Sequence, residues 1–177
     1  MHRRLLDVPA PLQVVAVTGR NVAARRALEA MPRPPRHRRI VLGYTRRIDE
    51  YMAAADVIVS KPGGLTASEA LCRGAAMLIV DPIPGQEARN SDDLLEGGAA
   101  VKVNNPASLS YKLTSLLTTP GRLESLRAGA RQLAQPRAAF EIADHALRLL
   151  GREIQRPVFS PSAAQGRWRT TVRRVSA

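Results

Sequence analysis

The chain has 177 residues, 45% of them apolar, a formal net charge of +12 and a single cysteine, Cys72. That is enough apolar material for one core and too little length for two ordinary domains, and one cysteine excludes an internal disulfide framework and fits a reducing compartment. No apolar run approaches the roughly 20 residues that span a bilayer. Arg3, Arg4, Asp7 and Pro9 leave no apolar stretch for a signal peptide, so a cytoplasmic protein is expected.

Of the 27 basic residues, all but Lys61, Lys102 and Lys112 are arginines. They cluster between Arg33 and Arg39, at Arg46 and Arg47, and from Arg152 to Arg174. Such a balance suits anionic partners, either nucleic acid or an acidic lipid surface, although an arginine bias also follows from codon usage. With 3% aromatics there is no stacking platform for single strands, and no zinc-finger spacing is present, so nucleic acid is not expected as a partner.

In chain order, Met1 to Leu6 reads as the end of a helix. Leu12 to Thr18 is a compact apolar strand stopped at Gly19. Asn21 can cap a helix running to about Met31, which Pro32, Pro34 and Pro35 end. Ile40 to Gly43 is a short strand, and Thr45 precedes a helix with Ile48, Met52 and Ala55 on one face. Asp56 to Ser60 is a strand, Thr66 to Arg73 a helix and Met77 to Asp81 a strand. A helix from Gln86 to Glu96 closes on Gly97 and Gly98. Ala99 to Val103 is a last strand, followed by helices over Pro106 to Leu117, Arg122 to Ala134 and Arg137 to Leu150.

This alternation predicts an α/β fold, a Rossmann-like parallel sheet with flanking helices, over residues 1–150. From Arg152 to Ala177 the composition turns to Arg, Ser, Pro, Gln and Gly, and a disordered basic tail is expected over 151–177.

The polar loops that follow the strands carry the candidate chemistry, because ligands of open α/β sheets bind at the carboxyl ends of the strands. In Lys61-Pro62-Gly63-Gly64-Leu65-Thr66-Ala67-Ser68-Glu69, two glycines let a ligand approach the backbone, and the helix that follows directs its unpaired N–H groups and positive dipole end at the loop. A diphosphate suits that place, with hydroxyls from Thr66 and Ser68 and a point charge from Lys61. Glu69 is suited to accept two vicinal ribose hydroxyls. An ordinary capped helix would look the same.

Pro84-Gly85-Gln86-Glu87-Ala88-Arg89-Asn90 offers Gln86, Glu87 and Asn90 as a planar donor and acceptor set of the kind that reads sugar hydroxyls, or as helix caps. In Thr18-Gly19-Arg20-Asn21, Arg20 can neutralise phosphate or simply sit on the surface.

Four segments together resemble the C-terminal, donor-binding half of glycosyltransferase family 28: V-T-G-R-N; V-L-G-Y-T-x-x-I-D-E-Y-M-A-A-A-D; K-P-G-G-L-T-A-S-E-A-L-x-R-G; and P-I-P-G-Q-E-A-x-N. The monogalactosyldiacylglycerol synthases and the bacterial processive diacylglycerol glucosyltransferases are the nearest branches by these motifs, and the N-acetylglucosaminyltransferase of peptidoglycan synthesis is more distant. The match runs from about Leu12 to Leu150.

The resemblance implies the Rossmann-like half of a GT-B enzyme that binds a UDP-sugar. By position, Gly43 and Tyr44 would read the uracil and Glu69 would hold the ribose. Gly63, Gly64, Leu65 and Thr66 would cradle the diphosphate, with Gly85, Gln86, Glu87 and Asn90 on the sugar and Arg20 and Asn21 facing the phosphates. It also implies an inverting transfer with no metal and no cofactor beyond the donor substrate, in which the helix dipole and hydrogen-bond donors stabilise the leaving UDP. The implied acceptor is a lipid such as diacylglycerol, met at the inner face of the cell membrane, where a basic surface suits anionic lipid.

Family members carry an N-terminal domain with the general base, and nothing in these residues corresponds to it or to the first strand and its Gly-rich loop. His2 and His37 are expected to be exposed in basic segments and His145 to sit on a late helix, so none is read as a base. The chain is therefore expected to be a fragment, a truncated product or one subunit of a split enzyme with an N-terminal-domain partner, as in the dolichol-pathway N-acetylglucosaminyltransferase. A non-catalytic nucleotide-sugar module and a UDP-sugar epimerase are the alternatives.

Overall fold

The computed structural model describes residues 2–32 and 34–150, so the expected basic tail over 151–177 lies outside the described residues. Its contacts divide the chain into two units, Met1–Pro136 and Arg137–Ala177. The division falls before the final helix, not at residue 150. In the first unit the elements run α1 (His2–Leu5), β1 (Gln13–Val17), α2 (Val22–Glu29), β2 (Arg38–Leu42), α3 (Ile48–Ala53) and β3 (Val57–Ser60). They continue with α4 (Gly64–Cys72), β4 (Ala76–Val80), α5 (Gln86–Glu96), β5 (Ala100–Val103), α6 (Ser108–Thr118) and α7 (Arg122–Leu133), and the second unit holds α8 (Ala138–Leu149).

Every strand pairing is parallel. Among the described residues the strands form not one sheet but two, β1-β2 and β3-β4-β5, because β1 and β3 are not hydrogen-bonded to each other. Parallel neighbours need crossover connections, and here each crossover contains a helix.

The core is layered about β4, whose sequence Ala-Met-Leu-Ile-Val has all five residues buried, as expected for a strand covered on both faces. Its side chains alternate between two clusters. Met77 and Ile79 face Met52 of α3, Ala67 and Ala70 of α4, Leu94 of α5 and Ala130 of α7. Leu78 and Val80 face Leu5, Val8, and Leu109, Leu113 and Leu116 of α6, with Val14 of β1 and Val57 and Val59 of β3 packed against them. The period of two along the strand thus partitions one apolar run between two helical layers.

Two close contacts fix this arrangement. A Cβ on Gly129 would lie 2.4 Å from the Gly98 carbonyl oxygen and 2.7 Å from that of Gly97. Helix α7 therefore rests directly on the backbone turn that ends α5. The second contact is His37, expected to be exposed but only 2% exposed. Its Nδ1 accepts from the Leu12 N–H at 3.2 Å and its Nε2 faces the Leu6 carbonyl oxygen, also at 3.2 Å. The imidazole is thus the Nε2–H tautomer, and it satisfies the chain that leads from α1 into β1. The prolines and arginines around it gave no sign of a buried partner.

Gly129→Ala is expected to lower the unfolding free energy by about 1–3 kcal/mol in denaturant melts. Gly64→Ala, where an added Cβ meets nothing within 4 Å, should leave stability unchanged or raise it. His37→Phe keeps a planar ring but leaves the Leu12 N–H without its partner, while Arg36 still donates to the Leu6 carbonyl oxygen; a loss of about 1–3 kcal/mol is expected, read by the same melts.

Candidate donor-binding rim

Because the strands within each sheet are parallel, the loops that follow them leave from the same edge. The first sheet contributes the loops after β1 and β2. The Thr18 N–H and hydroxyl both donate to the Leu42 carbonyl oxygen, at 2.9 Å and 3.0 Å. The Arg20 guanidinium stands 5.8 Å from the centre of the Tyr44 ring, a cation–π distance. Gly43 lies against the neighbouring loop: a Cβ there would be 3.5 Å from the Gly19 carbonyl oxygen. Arg20, Gly43 and Tyr44 are therefore one group.

Asn21 is committed locally. Its side chain accepts from the Ala24 N–H at 2.9 Å and caps α2, so this oxygen serves the helix. At the start of α3, Arg47 donates to both Glu50 oxygens, at 2.7 and 2.5 Å. The hydrogen bond holds the Glu50 carboxyl below its ordinary pKa and raises that of Arg47. The pair is in solvent and adds little stability.

The second sheet contributes the loops after β3 and β4, which are tied together. Asn90 Nδ2 donates to the Pro62 carbonyl oxygen at 2.9 Å across 28 residues. Glu87 Oε2 accepts from the Ile83 N–H at 2.8 Å, and Glu87 Oε1 is 3.8 Å from where a Gly63 Cβ would be. Two of the three proposed sugar-reading side chains, Glu87 and Asn90, thus also build the loops that carry them, while Gln86 is exposed at the first position of α5.

Helix α4 starts at Gly64, two residues before the expected Thr66, with Gly63 as its extended N-cap and no side-chain cap. Gly64, Leu65 and Thr66 consequently form its first turn, and Ser68 and Glu69 lie in the second. Glu69 is exposed, as is Lys61 before the helix. Helix α5 also begins without a side-chain cap, on Gly85 with φ 102° and ψ −119°, a conformation essentially confined to glycine. Two adjacent helices of 9 and 11 residues thus open onto one edge with glycine in place of the usual Ser, Thr or Asp cap. First-turn N–H groups without side-chain partners are anion-binding groups.

Two residues at the rim, Asp81 and Ile83, escaped the sequence reading. Asp81 has φ 42°, a left-handed non-glycine residue immediately before Pro82, where strain is costly and concentrated at functional edges. Ile83 is 53% exposed beside the second loop, and Leu65, expected in the diphosphate loop, presents a side chain 83% exposed. The strand-to-proline junction was the only available signal for Asp81. His37 lies at the amino end of β2, opposite the rim. His145 is on α8, lining a shallow apolar groove with Ala138, Ile142 and Leu149.

Residues 13–133 match the family model described as glycosyl transferases group 1. The chain belongs to that family. Among curated relatives it is 35% identical over 122 residues to the processive diacylglycerol beta-glucosyltransferase of Bacillus subtilis (strain 168), covering 69% of this chain and 32% of the relative. It is 31% identical over 150 residues to the enzyme of the same name from Staphylococcus saprophyticus, covering 85% of this chain and 38% of the relative. These carry the name of a branch to which the four motifs point.

Among solved structures, Acinetobacter baumannii MurG superposes with a TM-score of 0.70 at 26% identity, over 82% of this chain and 44% of that one. The glycosyltransferase VinC superposes with a TM-score of 0.62 at 23% identity, over 85% of this chain and 37% of that one, which bears on the fold alone. The fold is thus the Rossmann-like half of a GT-B glycosyltransferase, and the chain spans about a third of the curated relatives' length.

Asn90→Ala removes the bond between the two loops. It is expected to cost about 1 kcal/mol of stability and to speed amide exchange at residues 61–64, measured by hydrogen-exchange mass spectrometry, without altering exchange in β1.

Proposed function

We propose that the chain binds the UDP-sugar donor of a hexosyltransferase whose acceptor is a lipid such as diacylglycerol. The observation that carries this reading is the pair of glycine-started helices, α4 and α5, opening side by side onto an edge where Asn90 locks their loops together.

In this reading the first-turn N–H groups of Gly64, Leu65 and Thr66 and the positive end of the α4 dipole take the diphosphate, with Lys61 and Arg20 adding charge. Gly43 and Tyr44 flank the uracil. Glu69, exposed one turn along α4, accepts the ribose hydroxyls, and Gln86, with whatever capacity Glu87 and Asn90 retain, meets the hexose. As UDP leaves, the negative charge developing on it falls where those donors already point, so electrostatic preorganisation serves in place of a metal and the transfer is inverting.

The general base is supplied by another domain or polypeptide, and attraction of the arginine-rich surface to anionic lipid brings the site to the inner membrane surface. Among the described residues no helix is long and apolar enough to cross a membrane, which leaves a peripheral placement as the proposal.

Isothermal titration with UDP and UDP-glucose tests the donor site. Binding is expected, and Glu69→Ala should weaken it by about tenfold or more, the equivalent of one hydrogen bond to a charged group. Absence of binding, or equal affinity in the wild type and the variant, would overturn the assignment.

A further inference from the structure

One arginine at the rim is not accounted for by the donor reading. Arg25 is the fourth residue of α2, and its guanidinium reaches across to the loop after β2. A Cβ built on Gly43 would lie 3.4 Å from Arg25 Nη1 and 3.9 Å from its Cδ, with the Gly19 carbonyl oxygen 3.5 Å away. The φ of Gly43 is not positive, so no backbone conformation calls for glycine there. The bare Cα instead leaves room for the guanidinium, which a side chain longer than a methyl group would have to displace.

Arg25 Nε donates to Glu29 Oε1 at 2.9 Å, one turn along the same helix. As a device for stabilising α2 this pair is the wrong way round. The cation stands near the positive end of the helix dipole and the anion is the last residue of the helix, an order that the dipole opposes. What the pair does is orient the guanidinium. With Nε engaged, both Nη groups are left without a hydrogen-bond partner among the described residues, and they offer four N–H donors on a side chain that is half exposed. Arg20 is placed differently, over the ring of Tyr44.

We propose that Arg25 reads the nucleobase of the donor, its Nη groups donating to the oxygen at position 4 of uracil, with Glu29 as its positioning residue. The inference rests on the donor reading, in which Gly43 and Tyr44 flank the base. It adds the side chain that selects that base. Uracil carries an acceptor at position 4 where cytosine carries an amino donor. Arginine has donors only, so against cytosine N–H groups would face N–H groups, and the wrong base is rejected as much as the right one is held.

UDP and CDP titrated calorimetrically into the full chain test the assignment, with Arg25→Gln and Glu29→Ala as variants and a thermal melt of each to confirm that it folds. The wild type is expected to bind UDP about tenfold or more tightly than CDP. In Arg25→Gln the ratio should fall towards one, because an amide can donate to uracil or accept from cytosine. Glu29→Ala should narrow the ratio in the same direction, an effect that a merely structural helix pair would not have. Equal weakening of UDP and CDP in Arg25→Gln would make Arg25 a phosphate contact and overturn the proposal, as would an unchanged ratio. An unchanged ratio in Glu29→Ala alone removes the role of Glu29. A wild type that binds neither nucleotide fails the donor reading itself, whereas one that binds both equally fails only the assignment of Arg25.

Discussion

The organising constraint is the burial of β4 on both faces. A strand with no polar residue and no wet side must be covered twice, so it requires helices above and below, and the connections that supply them make its neighbours parallel. Parallel strands in turn send their following loops to one edge. The position of Gly63, Gly64 and Gly85 on one edge is thus a consequence of the dryness of β4, and the bond from Asn90 to Pro62 then ties their loops together. Gly129 makes the covering tight: by lacking a side chain it lets α7 settle on the turn at Gly97 and Gly98 and close the layer over Met77 and Ile79.

Much of this was legible because apolar periodicity and turn residues agreed. The helix at Gln86 to Glu96 has the bounds its glycines announce, and the strands at 13–17, 57–60, 76–80 and 100–103 fall where the β-branched runs fall. What sequence could not show were effects of partners distant along the chain. β2 begins at Arg38, within a basic cluster, because its backbone pairs with β1 from Gln13 onward, and pairing does not depend on those side chains. α4 starts at Gly64, with the extended Gly63 as its N-cap and no side-chain cap, whereas reading from hydroxyl caps placed the start at Thr66. The division into two sheets was not read as such: a single parallel sheet was expected, although the lack of a first strand was noted.

The side chains at the rim show how residues expected to meet a ligand can also serve the fold. Four of the expected ligand-reading groups came together as pairs, Arg20 with Tyr44 and Glu87 with the loop of Gly63. Asn21 and Asn90 spend hydrogen-bonding capacity on a helix cap and on Pro62. The motif resemblance could identify these positions without showing that cost, because a motif records residue types at intervals and not which of their atoms remain available. The same blindness hid Asp81, whose backbone strain has no signature in residue type.

The bond from Asn90 to the Pro62 carbonyl has a kinetic meaning. The bond couples two loops that would otherwise fluctuate independently, so in the proposed donor reading a diphosphate would meet a cradle whose ordering entropy was already spent during folding. On that reading, complexes of different sugars would differ chiefly in how long they persist, not in how often they form.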